Sequence, residues 1–436
     1  MPAAEILRRR DGTVVLPRRD PIPVLTETEV LVAGGGTAGL AAAIAAARNG
    51  VKTLLVERHG YLGGLATGGL IVILLTLDDG AGQQVVRGLC QEVVERLDRL
   101  GAAVYPRGDE RYSRDPAILR KWAEWGMQWG KGPHHVRYSV AFDPDALVRV
   151  ADEMVAEAGV SLLYHVTVTD ALVEDGAVRG VLVHGKLGWR AILARVVIDC
   201  TGDGDVLASA GAGFEHVKVV PWLWCLIGGV EGFDEVVGGE EVKCFRAVGD
   251  GRALIVPWRG YSSVGRQIDP LNPEDLTWAE VACRGKAFEL IERHRATFRG
   301  FRRAHICRLA TQLGITESRR LVGEYVLTSR DANCSFPDAV GRTGNWTRYK
   351  EFYDIPYRCL LPREVDGLLV AGRCISVDRK VHHSTKEIPC CFVTGQAAGT
   401  AAALALRTGV VPRRLDVQLL RRTLRDQGVF LGDAAA

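Results

Sequence analysis

The chain has 436 residues, 47% hydrophobic and 25% charged, with a formal net charge of +3. That near balance excludes a dedicated nucleic-acid protein, and the length suggests two or three domains with ample apolar material for cores. The eleven cysteines are scattered, with no C-x-x-C pair and no zinc spacing, so neither a metal nor an iron–sulfur centre is expected. Their odd number fits a reducing, cytoplasmic compartment better than a disulfide framework.

Residues 1–26 read as a solvated N-terminal ribbon, with Arg8 to Arg10 and Arg18-Arg19 flanking a strand-like TVVLP. Charged residues precede any apolar run, so no secretory signal is read. The longest apolar run, Leu65 to Leu77, contains Gly68-Gly69 and is too short to span a bilayer.

The stretch from Glu29 to Glu57 organises the rest. Glu29 to Ala33 suits a strand buried on both faces of a parallel sheet. Gly34, Gly36 and Gly39 then form G-x-G-x-x-G, where the glycines permit a tight turn, close approach to a pyrophosphate and close helix–strand packing. Ala38 to Arg48 is a good helix, ended by Asn49-Gly50, and Lys52 to Val56 is a second strand. Glu57 closes it, where an acid commonly holds ribose hydroxyls. Strand, turn, helix, strand and acid together mark a dinucleotide site.

Further on, Gln84 to Leu100 has helical spacing, and Trp122, Trp125 and Trp129 form a stripe of a kind that is more often core than ligand contact. Asp143-Pro144 caps and opens a helix towards Ala158. Strands follow at Val160 to Tyr164, Val166 to Val173, Val178 to Val183 and Arg195 to Cys200. The last runs into Thr201-Gly202-Asp203-Gly204-Asp205 and a short helix. Phe214 to about Phe352 interrupts this pattern with Trp222, Trp224, Trp258, Trp278 and Trp346, and with a helix around Trp278 to Arg295. Strand and small-residue helix then return: Gly367 to Arg373 is a buried strand ending in Ala-Gly, and Pro389 to Leu406 is a helix. Gly395 and Gly399 suit it to close approach by the first helix.

The segment after Glu57, Arg58-His59-Gly60-Tyr61-Leu62-Gly63-Gly64-Leu65-Ala66-Thr67, resembles the FAD-dependent oxidoreductases of the glutathione-reductase-like superfamily. The branch it is similar to includes the fumarate-reductase flavoproteins and the flavin subunit of heterodisulfide reductase. The resemblance implies a Rossmann-like α/β FAD-binding domain with a parallel sheet, a β-meander and an inserted α+β substrate domain. Residues 27–64, 141–213 and 355–436 would form the discontinuous FAD-binding domain, and 65–140 and 214–354 the inserted cap.

It also implies FAD contacts at Gly34, Gly36, Thr37, Ala38, Gly39, Glu57, Arg58, Gly63, Gly64, Leu65, Ala66 and Thr67. Val168 would meet the adenine, and Thr201, Gly202 and Asp203 the flavin nucleotide. Gly372 and Arg373 would lie at the ribityl chain, where Arg373 replaces the acid of the resembled pattern. Pro389 would open a helix whose positive end faces the flavin. The same proline is also an ordinary helix start.

The implied activity is hydride exchange between flavin and a small organic substrate, with an electron acceptor that the sequence does not specify. His382 and His383 are acid–base candidates because histidine titrates near neutrality. Arg319 and Arg379 are candidates to hold a carboxylate or polarise a carbonyl. Core packing accounts for either histidine too, and a surface salt bridge for the Arg319-Arg320 pair. A nicotinamide-only dehydrogenase, or a flavin-holding subunit that passes electrons to a partner, are the competing readings. No nucleic-acid or membrane partner is expected, and a homo-oligomer is allowed.

Overall fold

The computed structural model describes residues 7–8, 14–15, 21–128, 134–231, 244–249, 253–255 and 264–432. Arg9, Arg10, Arg18, Arg19, Trp129 and Trp258, singled out above, lie outside the described residues. Leu7–Arg8 and Val14–Val15 pair antiparallel.

The molecule is built on a seven-stranded sheet. Strand β1 (Val24–Ala33) leads into helix α1 (Thr37–Arg48) and strand β2 (Thr53–Val56). Helix α2 (Pro144–Glu157) feeds β3 (Ser161–Leu163), and the Asp143 carboxylate accepts from the amides of Asp145 and Ala146 at 2.9 and 3.0 Å. That is the cap the Asp-Pro pair predicts. A meander of β4 (Thr167–Glu174), β5 (Ala177–Gly185) and β6 (Gly188–Asp199) follows, and β7 (Leu368–Val370) arrives far along the chain.

The order across the sheet is β3-β2-β1-β6-β5-β4, with β7 beside the end of β6. β1, β2, β3, β6 and β7 run parallel, while β4 to β6 are antiparallel. Strand β6 does two jobs: residues 188–193 pair with β5, and Val197 to Asp199 pair with β7. The sequence places a strand only from Arg195; the structure begins it at Gly188. Gly188, Trp189 and Arg190 carry no buried-strand signal, because that half of β6 is partly exposed.

Helix α3 (Ile388–Thr408) is buried along nearly its whole length and packs on α1. A Cβ at Gly395 would collide with the Ala38 carbonyl, and one at Gly399 with the Ala42 carbonyl. Glycine is therefore required at both positions for the two backbones to touch. The helix is apolar and long enough to cross a membrane, yet its most apolar stretch is enclosed by the protein.

Above the sheet, Cys225–Gly228, Cys244–Arg246, Ala253–Ile255 and His305–Leu309 form a four-stranded sheet. The helix Pro273–Thr297 packs Ala287, Leu290 and Ile291 against Cys225, Ile227 and Phe301. Three sequence expectations change. The helix expected from Gln84 starts at Leu89, after Gly88 at φ 59. The tryptophan stripe breaks, because the helix carrying Trp122 ends at Ala123. Around Arg319-Arg320, where a surface salt-bridged helix is the alternative to a site role, the chain is a strand, Arg319–Leu321, paired with Phe214–His216.

Candidate active site

The site lies at the carboxyl ends of β1, β2 and β6, where connections diverge to either side and open α/β sheets bind ligands. Gly34, at φ 99, sits so close to β6 that a Cβ would meet the Cys200 carbonyl at 2.5 Å. At Gly39 a Cβ would collide with the Gly34 carbonyl, whereas at Gly36 it would meet nothing within 4 Å. The first and third glycines thus serve packing. The second leaves open space before the start of α1, whose N-cap offers no side-chain hydrogen bond to the helix amides.

The second glycine pair docks onto the first turn. Gly63 donates its amide to the Gly35 carbonyl at 2.9 Å, and Gly63 and Gly64 hold left-handed φ values of 96 and 55. Thr67 lies behind them, donating to the Leu62 carbonyl at 2.7 Å. Glu57 is buried and accepts from the amides of Gly35 at 2.6 Å and His59 at 2.8 Å. The acid therefore braces the glycine turn as well as facing the site.

On the other side, Asp199 at the end of β6 organises the Thr201 turn. Its carboxylate accepts from the Thr201 hydroxyl at 2.7 Å, the Thr201 amide at 3.0 Å and the Leu207 amide at 2.8 Å. Full burial pushes this carboxyl up to about 6. Arg373 then ties three segments together. It donates to the Gly202 carbonyl at 2.6 Å, to the Asp203 carboxylate at 2.7 Å and to the Ile315 carbonyl of the cap. Burial alone would raise the Asp203 carboxyl, but Arg373 and the Ser318 hydroxyl at 2.7 Å outweigh it and hold the group below the ordinary range.

These parts enclose one cavity of about 510 Å³. Of the residues expected at a cofactor, Gly34, Gly36, Thr37, Ala38, Glu57, Arg58, Gly63, Gly64, Leu65, Ala66, Thr201, Gly202, Asp203, Gly372 and Arg373 line it. Gly39 and Thr67 support that wall from behind. Pro389 lies in the first turn of α3, whose flanking residues Lys386, Glu387, Ile388 and Cys391 do line the cavity. Val168 is placed elsewhere, on β4 at the far edge of the sheet opposite Val183. Beside Glu57 stand His165 and Val166 instead, the Val166 amide donating to the Glu57 carbonyl at 3.1 Å.

The four residues expected to do chemistry are not gathered on the cavity wall. His382 is buried, with Nε2 3.0 Å from the Arg373 carbonyl, and burial pushes its pKa well down. His383 is exposed, its ring 4.7 Å from that of Trp346. Arg319 is spent on the Asp203 and Gly204 carbonyls and on the Asp205 carboxylate at 2.9 Å. Arg379 points outward, 67% exposed, 3.5 Å from Glu317. Leu276, Glu280, Thr311, Gln312 and Ile315 also line the cavity. No local signal marks them, because their side chains meet the cavity only through the tertiary fold.

A parallel sheet, a glycine turn opening a helix and a cavity along the strand ends define a dinucleotide-binding protein. A family model described as FAD dependent oxidoreductase matches residues 29–218 and 239–424, and the chain belongs to that family: it is an enzyme and its cofactor is FAD. Thiamine thiazole synthase of Archaeoglobus fulgidus is 24% identical over 233 residues, 50% of this chain and 70% of that protein. A geranylgeranyl bacteriochlorophyll reductase-like protein of Thermoplasma acidophilum has TM-score 0.51 and 16% identity, covering 92% of this chain and 84% of that one. For p-nitrophenol 4-monooxygenase from Pseudomonas putida the values are 0.50, 13%, 94% and 90%. At these identities the structural likeness shows the fold alone. The residues fit FAD on physical grounds: open space at Gly36, an uncapped helix start for phosphate, and a buried acid at the ribose position.

Proposed function

We propose that the enzyme exchanges a hydride between FAD and a small organic substrate held beneath the cap. The observation that carries this reading is that one cavity is walled on one side by the nucleotide turns and on the other by cap residues from Leu276 to Ile315. FAD supplies the hydride acceptor or donor. The protein's part is to place and shield it. The Gly36–Thr37 amides at the start of α1 take phosphate, Glu57 accepts from adenosine ribose hydroxyls, and Thr201 to Asp203 hold the flavin half. The uncapped first turn of α3 presents its dipole to the electronegative edge of the ring.

Residues 27–64, 141–213 and 355–436 act in this scheme as the FAD-binding domain, and 65–140 and 214–354 as the cap. The test is a visible flavin spectrum in purified protein, followed by anaerobic screening of hydroxy acids, keto acids, sugars and steroids for bleaching. A colourless protein that takes up no added FAD would refute the reading. A yellow protein bleached only through a protein partner would turn it into a flavin-holding subunit.

A further inference from the structure

The ionisable side chains on the cavity wall are Glu57, Arg58, His59, Asp203, Glu280, Arg373, Lys386 and Glu387, with the thiols of Cys200 and Cys391. Most are committed. Both oxygens of Glu57 accept backbone amides. Asp203 already accepts from both Arg373 and Ser318. Burial pushes the Cys391 thiol up to about 12 and the Cys200 thiol well up, so neither offers a thiolate at neutral pH. Glu280, on the cap helix, is ion-paired with Arg284 at 2.8 Å and is 31% exposed.

Lys386 and Glu387 stand at the start of α3, whose first turn borders the cavity. They form a pair at 2.9 Å, with side chains only 17% and 12% exposed, immediately before α3. Only the Oε1 atom of Glu387 is engaged, so Oε2 and the remaining N–H bonds of Lys386 have no protein partner among the described residues. This is a desolvated carboxylate, fixed in orientation by a neighbouring cation, with one oxygen open on a cavity.

We propose that Glu387 takes up or returns the substrate proton at Oε2, that Lys386 is its positioning residue, and that the substrate carries a hydroxyl or amino group on its reacting carbon. This rests on the proposed hydride exchange, whose oxidant is FAD. When such a substrate is oxidised, its O–H or N–H bond breaks as the C=O or C=N bond forms, and the freed proton goes to Glu387. The groups around Glu387 are Lys386, His383, Cys390 and Cys391, with Arg373 beyond Cys391. Lys386 and Arg373 are the cations among them.

The test uses the FAD-loaded protein and sodium sulfite, an anion that adds to the flavin ring and bleaches its visible band. In the wild type the pair is neutral overall. Glu387→Gln leaves the Lys386 cation uncompensated and should tighten sulfite binding roughly tenfold or more; Lys386→Met should weaken it by a similar factor. The double variant should return towards wild type. Lys386→Met changes the other member of the pair, so the matter is decided even if Glu387→Gln does not fold. Yellow protein whose sulfite affinity ignores both substitutions would overturn the role of Glu387 while leaving the proposed function standing. Failure to bind FAD at all would instead refute the function.

Discussion

The Arg373 guanidinium donates to the Asp203 carboxylate at 2.7 Å, across 170 residues of chain. The residue standing where the resembled pattern has a ribityl-binding acid is thus itself bound to an acid. Asp203 stands on the Thr201 turn, and Arg373 joins that turn to Ile315. Removing one partner of a fully buried pair costs about 3–5 kcal/mol; with both side chains 15% exposed, the lower end is expected. Arg373→Met should therefore raise the Kd for FAD by about tenfold or more and speed hydrogen exchange over residues 311–318. Unchanged FAD affinity in a folded variant would show that the clamp does not hold the site.

Glu57 braces the glycine turn and is proposed to hold the ribose, so its variants separate two effects. Glu57→Ala leaves the buried Gly35 amide without its acceptor, at about 1–3 kcal/mol, and the part-buried His59 amide as well. It should lose both FAD and stability. Glu57→Gln keeps one carbonyl acceptor and should melt closer to wild type while still holding FAD poorly. Titration of the apoprotein with FAD, alongside thermal unfolding, reads both.

The α1–α3 contact permits no side chain. Gly399→Val would drive a branched side chain into the Ala42 carbonyl. Overpacking costs about 1–3 kcal/mol and sometimes more, and a rigid backbone neighbour puts this case at the upper end. Urea unfolding should show the loss. FAD should leak as well, because α1 opens at the glycine turn proposed to take phosphate.

Asp199 predicts a pH dependence of defined sign. Its folded pKa of about 6 lies above the unfolded value of about 3.9. The fold binds this proton more tightly than the unfolded chain does. Its contribution is thus fully present below pH ~3.9 and is lost as pH rises through about 6, a change of about 3 kcal/mol at most. Asp199→Asn should flatten the stability profile over that window, read by denaturant unfolding at successive pH values.

His382 should show the opposite trend. Burial, then Lys386 and Arg320, hold its folded pKa well below the ordinary histidine value. The unfolded chain binds that proton first, so stability falls as pH drops below about 6.5. His382→Asn should lose this acid sensitivity. His383→Asn, at an exposed site beside Trp346, should change stability by no more than about 0.5 kcal/mol and leave FAD binding unaltered. A large loss of FAD in that variant would place His383 nearer the cofactor than its ring contact indicates.

The sequence by itself determined the parts whose meaning is local. Strand, G-x-G-x-x-G turn, helix, strand and acid are read from spacing within 29 to 57, and the Asp143 cap and the small-residue α3 are equally local. Buried strands and tight helix contacts restrict composition at every position, so they leave a dense pattern. Which polar groups share the cavity was decided by tertiary structure alone. Arg373 meets Gly202, Asp203 and Ile315 from positions 58 to 171 residues apart, and Lys386-Glu387 reaches the cavity while neighbouring His382 and His383 do not. One step of rotation along a short helix separates a buried histidine from an exposed one, and no periodicity in so brief a segment records it. Val168 shows the same limit: β4 is legible as a strand, but its place at the far edge follows from a meander that folds away from the glycine turn. Local patterns encode which face of an element is buried; what that face meets depends on how the elements are brought together.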